Sequence, residues 1–197
     1  MKPLTLDEIV GLDRYERERD AFRRRIIELK KRRRVAVGDE ITFVFENRAT
    51  VLFQIQEMLR AEHITDLDKV REEVDCYNEL LPHAGELSST MLIEITEQEQ
   101  IRPRLVSLIG IDRAVRLEVG DHVIRGEFEP GRSTEDNLSA VQYVRFRFDP
   151  ESRERFVAGT GAARLVIDHP NYHAVAVLED SVRASLAADL AHGDSLH

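Results

Sequence analysis

A chain of 197 residues predicts one domain or two tightly joined lobes, with enough residues to bury a sizeable core. With 42% hydrophobic and 33% charged residues, it has the composition of a soluble globular protein with a heavily charged surface. The single cysteine, Cys76, excludes an intramolecular disulfide and a thiolate metal cage. No apolar run approaches the roughly 20 residues that a membrane helix needs, and the N-terminus lacks an apolar signal segment, so we expect a cytoplasmic protein without membrane contact.

The net charge of −9 is unevenly distributed along the chain. Residues 1–34 hold twelve Lys or Arg and seven Asp or Glu, whereas the remainder holds 16 basic and 30 acidic residues. This acidic remainder disfavours nucleic-acid binding by the whole surface. For the basic run 30–34 two interpretations stand: a local nucleic-acid patch, or a solvated helix end that faces the acidic body or a partner subunit.

The first elements are helical. Residues 5–8 have the capping-box pattern of a short helix, which Gly11 ends. Residues 13–34 then carry apolar side chains at helical spacing, which predicts a long helix. Arg19 falls within the apolar stripe of that helix and marks an ion pair or a gap in its packing. A short strand over residues 35–37 follows.

A strand that turns directly into a helix is the organising feature of the sequence. Residues 41–45 alternate aromatic and β-branched side chains, which predicts a buried strand. Asn47 stands where a helix N-cap is needed, because its side-chain oxygen can accept from a free amide of the first turn. The apolar stripe of the helix begins at Val51, and Glu57 and Arg60 on its polar face are spaced to pair.

Arg48 is the unusual residue of this corner, since a cation in the first helical turn opposes the helix dipole. Pairing with Glu46, or with an anion bound at the helix N-terminus, would offset that cost. The group Glu46, Asn47, Arg48 and Glu57 is therefore either an internal ion-pair cluster that fixes the corner or part of a ligand site.

The remaining elements are predicted from similar patterns. A helix opens near residue 65 and stops before Pro82, a strand covers residues 87–95, and a helix follows over 97–109 with a kink or a later start at Ile101 because of Pro103. Strands 115–119 and 122–128 form a hairpin. Strand 140–148, helix 150–157, strands 163–168 and 173–178, and a last helix over 182–191 complete the chain.

These elements predict an α+β fold in one domain. Helices concentrate in the N-terminal half, and they pack on a mostly antiparallel sheet built from the C-terminal half plus the strand 41–45. The expected parts are a helical lobe over about residues 1–110, a β-rich lobe over about 111–180 and a C-terminal helix over about 181–191.

Two further groups of residues, in the second half of the chain, could bind ligands. Arg132 and Ser133 lie in the long polar loop 129–139 and could hold an anion through the guanidinium and backbone amides. Asp168, His169 and His173 flank a Pro-Asn turn and could bind a divalent metal, although alternation along strands need not bring both imidazoles to one side.

A second metal arrangement would combine carboxylates and imidazoles from neighbouring helices. Its candidates are Glu57, Glu62, His63, His83 and Glu86. The Glu-x-x-His spacing of a di-iron bundle is absent, and no cofactor is predicted. Cys76 is surrounded by acidic residues, so we expect an unreactive thiol.

The corner 41–62 also resembles the signature of a bacterial family catalogued as domain of unknown function 3501. The resemblance extends through the segments 77–82, 85–88, 131–133, 139–146 and 165–172. Members are often encoded beside rubrerythrin-like and iron–sulfur redox proteins, so the resemblance implies an accessory role in a redox or peroxide-handling system.

Besides nucleic-acid binding through the basic residues 23–34, two functional hypotheses follow from the sequence. The first is a non-catalytic cytoplasmic interaction protein that binds a protein partner or associates with itself. The alternative is an enzyme or sensor that binds a small anion or a metal, with a site near Arg48 and the Arg132 loop.

Overall fold

A computed structural model describes residues 1–132 and 137–192 of the chain. Within these ranges it has six α-helices, which are α1 (Leu12–Lys31), α2 (Arg48–Ala61), α3 (Leu67–Asn78), α4 (Ile101–Ser107), α5 (Pro150–Val157) and α6 (Asp180–His192). The strands are β1 (Arg34–Val37), β2 (Ile41–Phe45), β3 (Glu86–Ile93), β4 (Val115–Val119), β5 (His122–Phe128), β6 (Val141–Arg147), β7 (Ala163–His169) and β8 (Tyr172–Val177). Short 3-10 turns occur at Leu6–Glu8, Gln98–Gln100 and Ile111–Arg113.

All eight described strands belong to one antiparallel sheet, in the order β1-β2-β3-β6-β5-β4-β7-β8. The α+β class is thus confirmed, and so is the β4–β5 hairpin. The expected division into a helical first half and a sheet from the second half needs correction. Strands β1, β2 and β3 all come from the first half, so helices and strands are interleaved along the chain.

The two faces of the sheet are packed differently. The inner face is covered by α5 and α6, whose apolar side chains join those of the strands in the main core. On the outer face, α2 and α3 form a second apolar cluster that contacts Tyr143 of β6, and α1 packs on α2. Helices α1 to α3 therefore lie over the part of the outer face that includes β6.

The sheet curls until its two edge strands lie next to each other. The hydroxyl of Tyr172 on β8 donates to the carbonyl of Val37 on β1 (2.6 Å) and accepts from the amide of Glu40 (3.2 Å). Gly38 has φ +73°, and a Cβ placed on it would lie 2.4 Å from the Tyr172 hydroxyl oxygen. Glycine is required at position 38 by both its backbone conformation and this close approach.

Among the described residues, the helices are too short or too polar for any of them to cross a bilayer.

Candidate functional site

The junction of β2 and α2 has the predicted N-cap. The Asn47 side-chain oxygen accepts from the amide of Thr50 (3.1 Å), and the Asn47 amide donates to the Thr50 hydroxyl (2.9 Å). This reciprocal pair satisfies donors at the first turn of α2. The two residues are three apart in sequence, which is why the sequence alone revealed the cap.

Glu46 is buried and is held by neutral side chains. One carboxylate oxygen accepts from the hydroxyl of Thr50 and from the amide of Gln54 (3.0 Å), and the other accepts from the hydroxyl of Thr90 on β3 (2.7 Å). These bonds supply the partners that a buried carboxylate needs. Glu46 therefore ties the first turns of α2 to β3.

Arg48 turns away from Glu46, towards the N-terminal segment. Its guanidinium forms an ion pair with Glu8 and donates to the carbonyls of Lys2 and Pro3. The pKa of Glu8 is lowered, first by the amide of Thr5 and then by Arg48. The carboxylate that Arg48 meets is thus Glu8, 40 residues away in sequence.

Glu57 belongs to a different ion-pair group, between α1 and α2. Its carboxylate accepts two hydrogen bonds from Arg19 (2.7 and 2.8 Å) and one from the Tyr15 hydroxyl (2.8 Å), and Arg60 lies 3.6 Å away. The hydrogen bonds from Arg19 are the main reason that the pKa of Glu57 falls to about 2. Arg19 within the α1 stripe therefore marks an ion pair.

Arg132 pairs with Glu129, and its guanidinium lies 4.1 Å from the centre of the Tyr143 ring. Arg48 and Arg132 are thus held by different partners. Ser133, the other candidate of this loop, lies outside the described residues.

A polar groove of about 380 Å³ lies beside this segment, between the end of α3 and strands β3, β5 and β6. Its lining includes Tyr143, Arg145 and Arg147. Arg145 is largely engaged, because it pairs with the buried carboxylate of Glu86 and donates to the carbonyls of Leu81 and Glu79.

The predicted metal group at the β7–β8 turn is split between the two faces of the sheet. On the outer face, His173 Nδ1 lies 2.9 Å from an Asp168 carboxylate oxygen. On the inner face, buried His169 has Nε2 3.0 Å from the Ile109 carbonyl, while Nδ1 accepts from the Asn171 amide (3.2 Å).

The second metal arrangement is not assembled either. Glu86 pairs with Arg145 and accepts from the His83 amide (2.8 Å), whereas Glu57 pairs with Arg19. Over residues 1–132 and 137–192, no three His, Cys, Asp or Glu side chains come together as a metal site would require.

The basic run 30–34 does not form one helix end, which corrects the helix predicted over 13–34. Helix α1 ends at Lys31, and Arg34 is already in β1, where it pairs with Glu94. Arg33 is only 1% exposed; its guanidinium donates to the carbonyls of Phe45 (2.8 Å) and Glu46 (3.0 Å) and pairs with Asp189 of α6. Its partners are too distant in sequence for local patterns to have revealed this role.

The outer face of β5, β4, β7 and β8 is a functional candidate that sequence reasoning missed. We call it the open face, because α1 to α3 do not cover it and most of its side chains are exposed, although Val166 is buried. The strand register arranges its residues in two rows. The first row is Arg125, Arg116, Val166 and Val175, and the second is Val123, Glu118, Arg164 and Val177.

Ion pairs cross the open face between these apolar side chains. Arg116 pairs with Glu118 (2.8 Å) and lies 3.7 Å from Asp168, and Arg164 pairs with Glu118 (3.1 Å). Valines 123, 175 and 177 are 57%, 59% and 63% exposed. The alternating apolar and polar signal for this face was present in the sequence, but only the strand order shows that the valines share one surface.

The comparisons with known proteins give one family match and one similar solved structure. The model of a family described as "Protein of unknown function (DUF3501)" matches residues 3–190. A crystal structure of a novel protein of unknown function from Burkholderia pseudomallei K96243 is 34% identical, covers 96% of this chain and 100% of its own, and superimposes with a TM-score of 0.90. No curated protein matches. The family match over nearly the whole chain confirms the resemblance seen in the sequence, and the chain belongs to the DUF3501 family.

Proposed function

We propose that this chain is a non-catalytic interaction protein that binds an acidic partner protein on the open face. The observation that carries the proposal is the exposure of Val123, Val175 and Val177 on one face of the sheet. Exposed apolar side chains that alternate with charged ones on one surface can be covered when a partner protein binds. Burial of such valines against a partner would remove their apolar surface from water.

The charge of the open face indicates the chemistry of the partner. On its strands, three arginines (Arg116, Arg125 and Arg164) balance three carboxylates (Glu118, Glu127 and Asp168), and Arg113 of the adjoining 3-10 turn adds one positive charge, in a protein of net charge −9. A partner that presents carboxylates beside apolar side chains would complement this surface. A second copy of the chain would have to use a different, acidic surface, and such head-to-tail contacts tend to continue into filaments unless they close a ring.

The environment of Cys76 is consistent with a role other than thiol chemistry. Desolvation raises the pKa of the Cys76 thiol, and Glu73 and Glu79 raise it further, so the thiolate is disfavoured at neutral pH. An accessory role beside a redox or peroxide-handling protein, which the family resemblance implies, remains part of this proposal.

A small-molecule site near Arg132 is the second candidate. The groove of about 380 Å³ beside Tyr143 supports it, together with the cation stacked on that ring. The contacts of Arg48 with Glu8 favour a structural role for Arg48 instead.

The test compares partner binding by matched glutamate variants expressed in the native host. Val175→Glu with Val177→Glu would repel an acidic partner and remove the apolar contact. Val106→Glu, at a valine 51% exposed on α4, is the control. We expect crosslinking and mass spectrometry to show one partner on the wild type and on the Val106 variant, joined at the open face through an acidic segment, and to show its loss from the double variant.

Three results would overturn the proposal: equal partner retention by all three proteins, no crosslinked partner at all, or a homo-oligomer built through the open face. Native mass spectrometry of the same samples reports subunit number directly. A small molecule retained by the purified protein, and lost on Arg132→Gln, would support the second candidate.

A further inference from the structure

A pocket of about 180 Å³ opens on the open face, at the ends of β4 and β5. Its charged lining consists of three arginines (Arg113, Arg116 and Arg125) and one carboxylate (Asp168), and Val123 provides an apolar wall. The pocket therefore has a formal excess of two positive charges within a protein of net charge −9.

The strand register places two arginines of this pocket directly opposite each other. Arg116 on β4 and Arg125 on β5 are direct cross-strand partners, and like charges directly opposite each other on neighbouring strands are destabilising. The ion pairs of Arg116 with Glu118 and Asp168 offset its own charge. They leave the charge of Arg125 uncompensated.

Arg113 and Arg125 have no carboxylate within ion-pair distance among the described residues. Both side chains are exposed, whereas nearby Arg116 and Arg164 each have a carboxylate partner. Two unpaired guanidinium groups at one pocket present forked donors suited to an oxyanion. An oxyanion bound there would also supply the counter-charge that Arg125 lacks.

We propose that this arginine pocket is an oxyanion site that anchors an acidic side chain of the partner, while the exposed valines receive the neighbouring apolar side chains. The inference rests on the proposed function, because it names the group that the open face recognises. The same pocket chemistry would accept a free phosphate, so the two sources of oxyanion must be separated by experiment.

The first measurement uses the full chain and two probes: inorganic phosphate, and a short peptide of alternating Glu and Val. NMR of arginine Nε–H groups follows each titration. We expect the peptide to shift the signals of Arg113 and Arg125 in a saturable way and more tightly than phosphate does. Arg113→Gln with Arg125→Gln should weaken peptide binding about tenfold or more, because two charge-assisted contacts are lost.

Arg24→Gln is the matched control, since Arg24 is an exposed arginine on α1, away from the sheet. It should leave peptide binding unchanged. Equal binding by the wild type and the double arginine variant would overturn the pocket. Phosphate binding tighter than peptide binding would overturn the partner as its source.

These outcomes separate the pocket from the proposed function. If the host partner is lost with the Val175 and Val177 variant but fully retained by the double arginine variant at every salt concentration, the open face stands and the pocket fails. If peptide binding depends on the two arginines while partner retention ignores the valines, the pocket stands and the proposed function fails.

Discussion

At the scale of single residues, the ion pairs between the helices serve to join elements. Glu57 shows this most clearly, because Arg19 and Tyr15 on α1 both bind its carboxylate on α2. A carboxyl whose pKa is depressed to about 2 stabilises the folded state when it is ionised. The stabilisation is complete above the ordinary pKa of a glutamate and is lost as the pH falls towards 2.

Glu57→Gln should therefore lower the free energy of unfolding by about 2 kcal/mol near neutral pH, the size of a charge-assisted hydrogen-bond set at a partly buried site. Urea denaturation of both proteins over a range of pH checks this. The difference should be constant above about pH 5 and shrink below about pH 4. A difference that does not change with pH would mean that the carboxylate charge is not responsible. Glu18→Gln, in an exposed ion pair on α1, is the control and should change stability little.

At the scale of elements, Arg33 connects three parts of the chain. It follows α1, donates to the carbonyls at the end of β2, and pairs with α6. Replacing Arg33 by Met keeps the apolar stem but leaves the buried carbonyls of Phe45 and Glu46 without this donor.

Arg33→Met should lower the free energy of unfolding by about 3 to 5 kcal/mol, as expected when one partner of a buried ion pair is removed. The exposed neighbour Arg32, replaced in the same way, should cost little. Urea denaturation measures both free energies of unfolding, provided that their dependence on urea concentration (the m-value) is the same in each variant. Equal effects of the two substitutions would show that the guanidinium of Arg33 is not buried as described.

The sequence could predict the features of these elements that depend on nearby residues. The Asn47 cap, the β4–β5 hairpin and the Pro150 helix start depend on residues a few positions apart, and all three are confirmed. The partners of Arg33 lie 12 to 156 residues away in the sequence. Those of Arg48 lie 40 to 46 residues away. Local patterns carry no information about such contacts, nor about the strand order that brings Val123 and Val177 to one surface.

At the scale of the whole molecule, the curled sheet depends on the contact between its two edges. Gly38→Ala would place a methyl group against the Tyr172 hydroxyl, in addition to straining a backbone with φ +73°. Gly159→Ala is a close control, since its φ is +74° and nothing lies within 4 Å of its added Cβ. The strain common to both should cost about 1 kcal/mol.

We expect Gly38→Ala to lower the free energy of unfolding by at least about 1 kcal/mol more than Gly159→Ala does. Combining Gly38→Ala with Tyr172→Phe removes the oxygen that causes the clash, so the excess should fall in that background. A double-mutant cycle by thermal or urea unfolding gives the coupling directly. Strictly additive effects would contradict a close approach between the two edges.

The pairing of Arg33 with Asp189 has a consequence for how the protein is made. During synthesis on the ribosome, Arg33 emerges long before α6, and 156 residues separate the two partners. The edge strands β1 and β8 are similarly distant in sequence and meet only when the sheet is nearly complete. Contacts of such long range slow folding, because loop closure precedes the contacts that reward it. The side chain of Arg33 and the strands of the first half of the sheet therefore stay without their final partners until α6 has been translated. During this interval the nascent chain exposes surface that a chaperone can protect from aggregation.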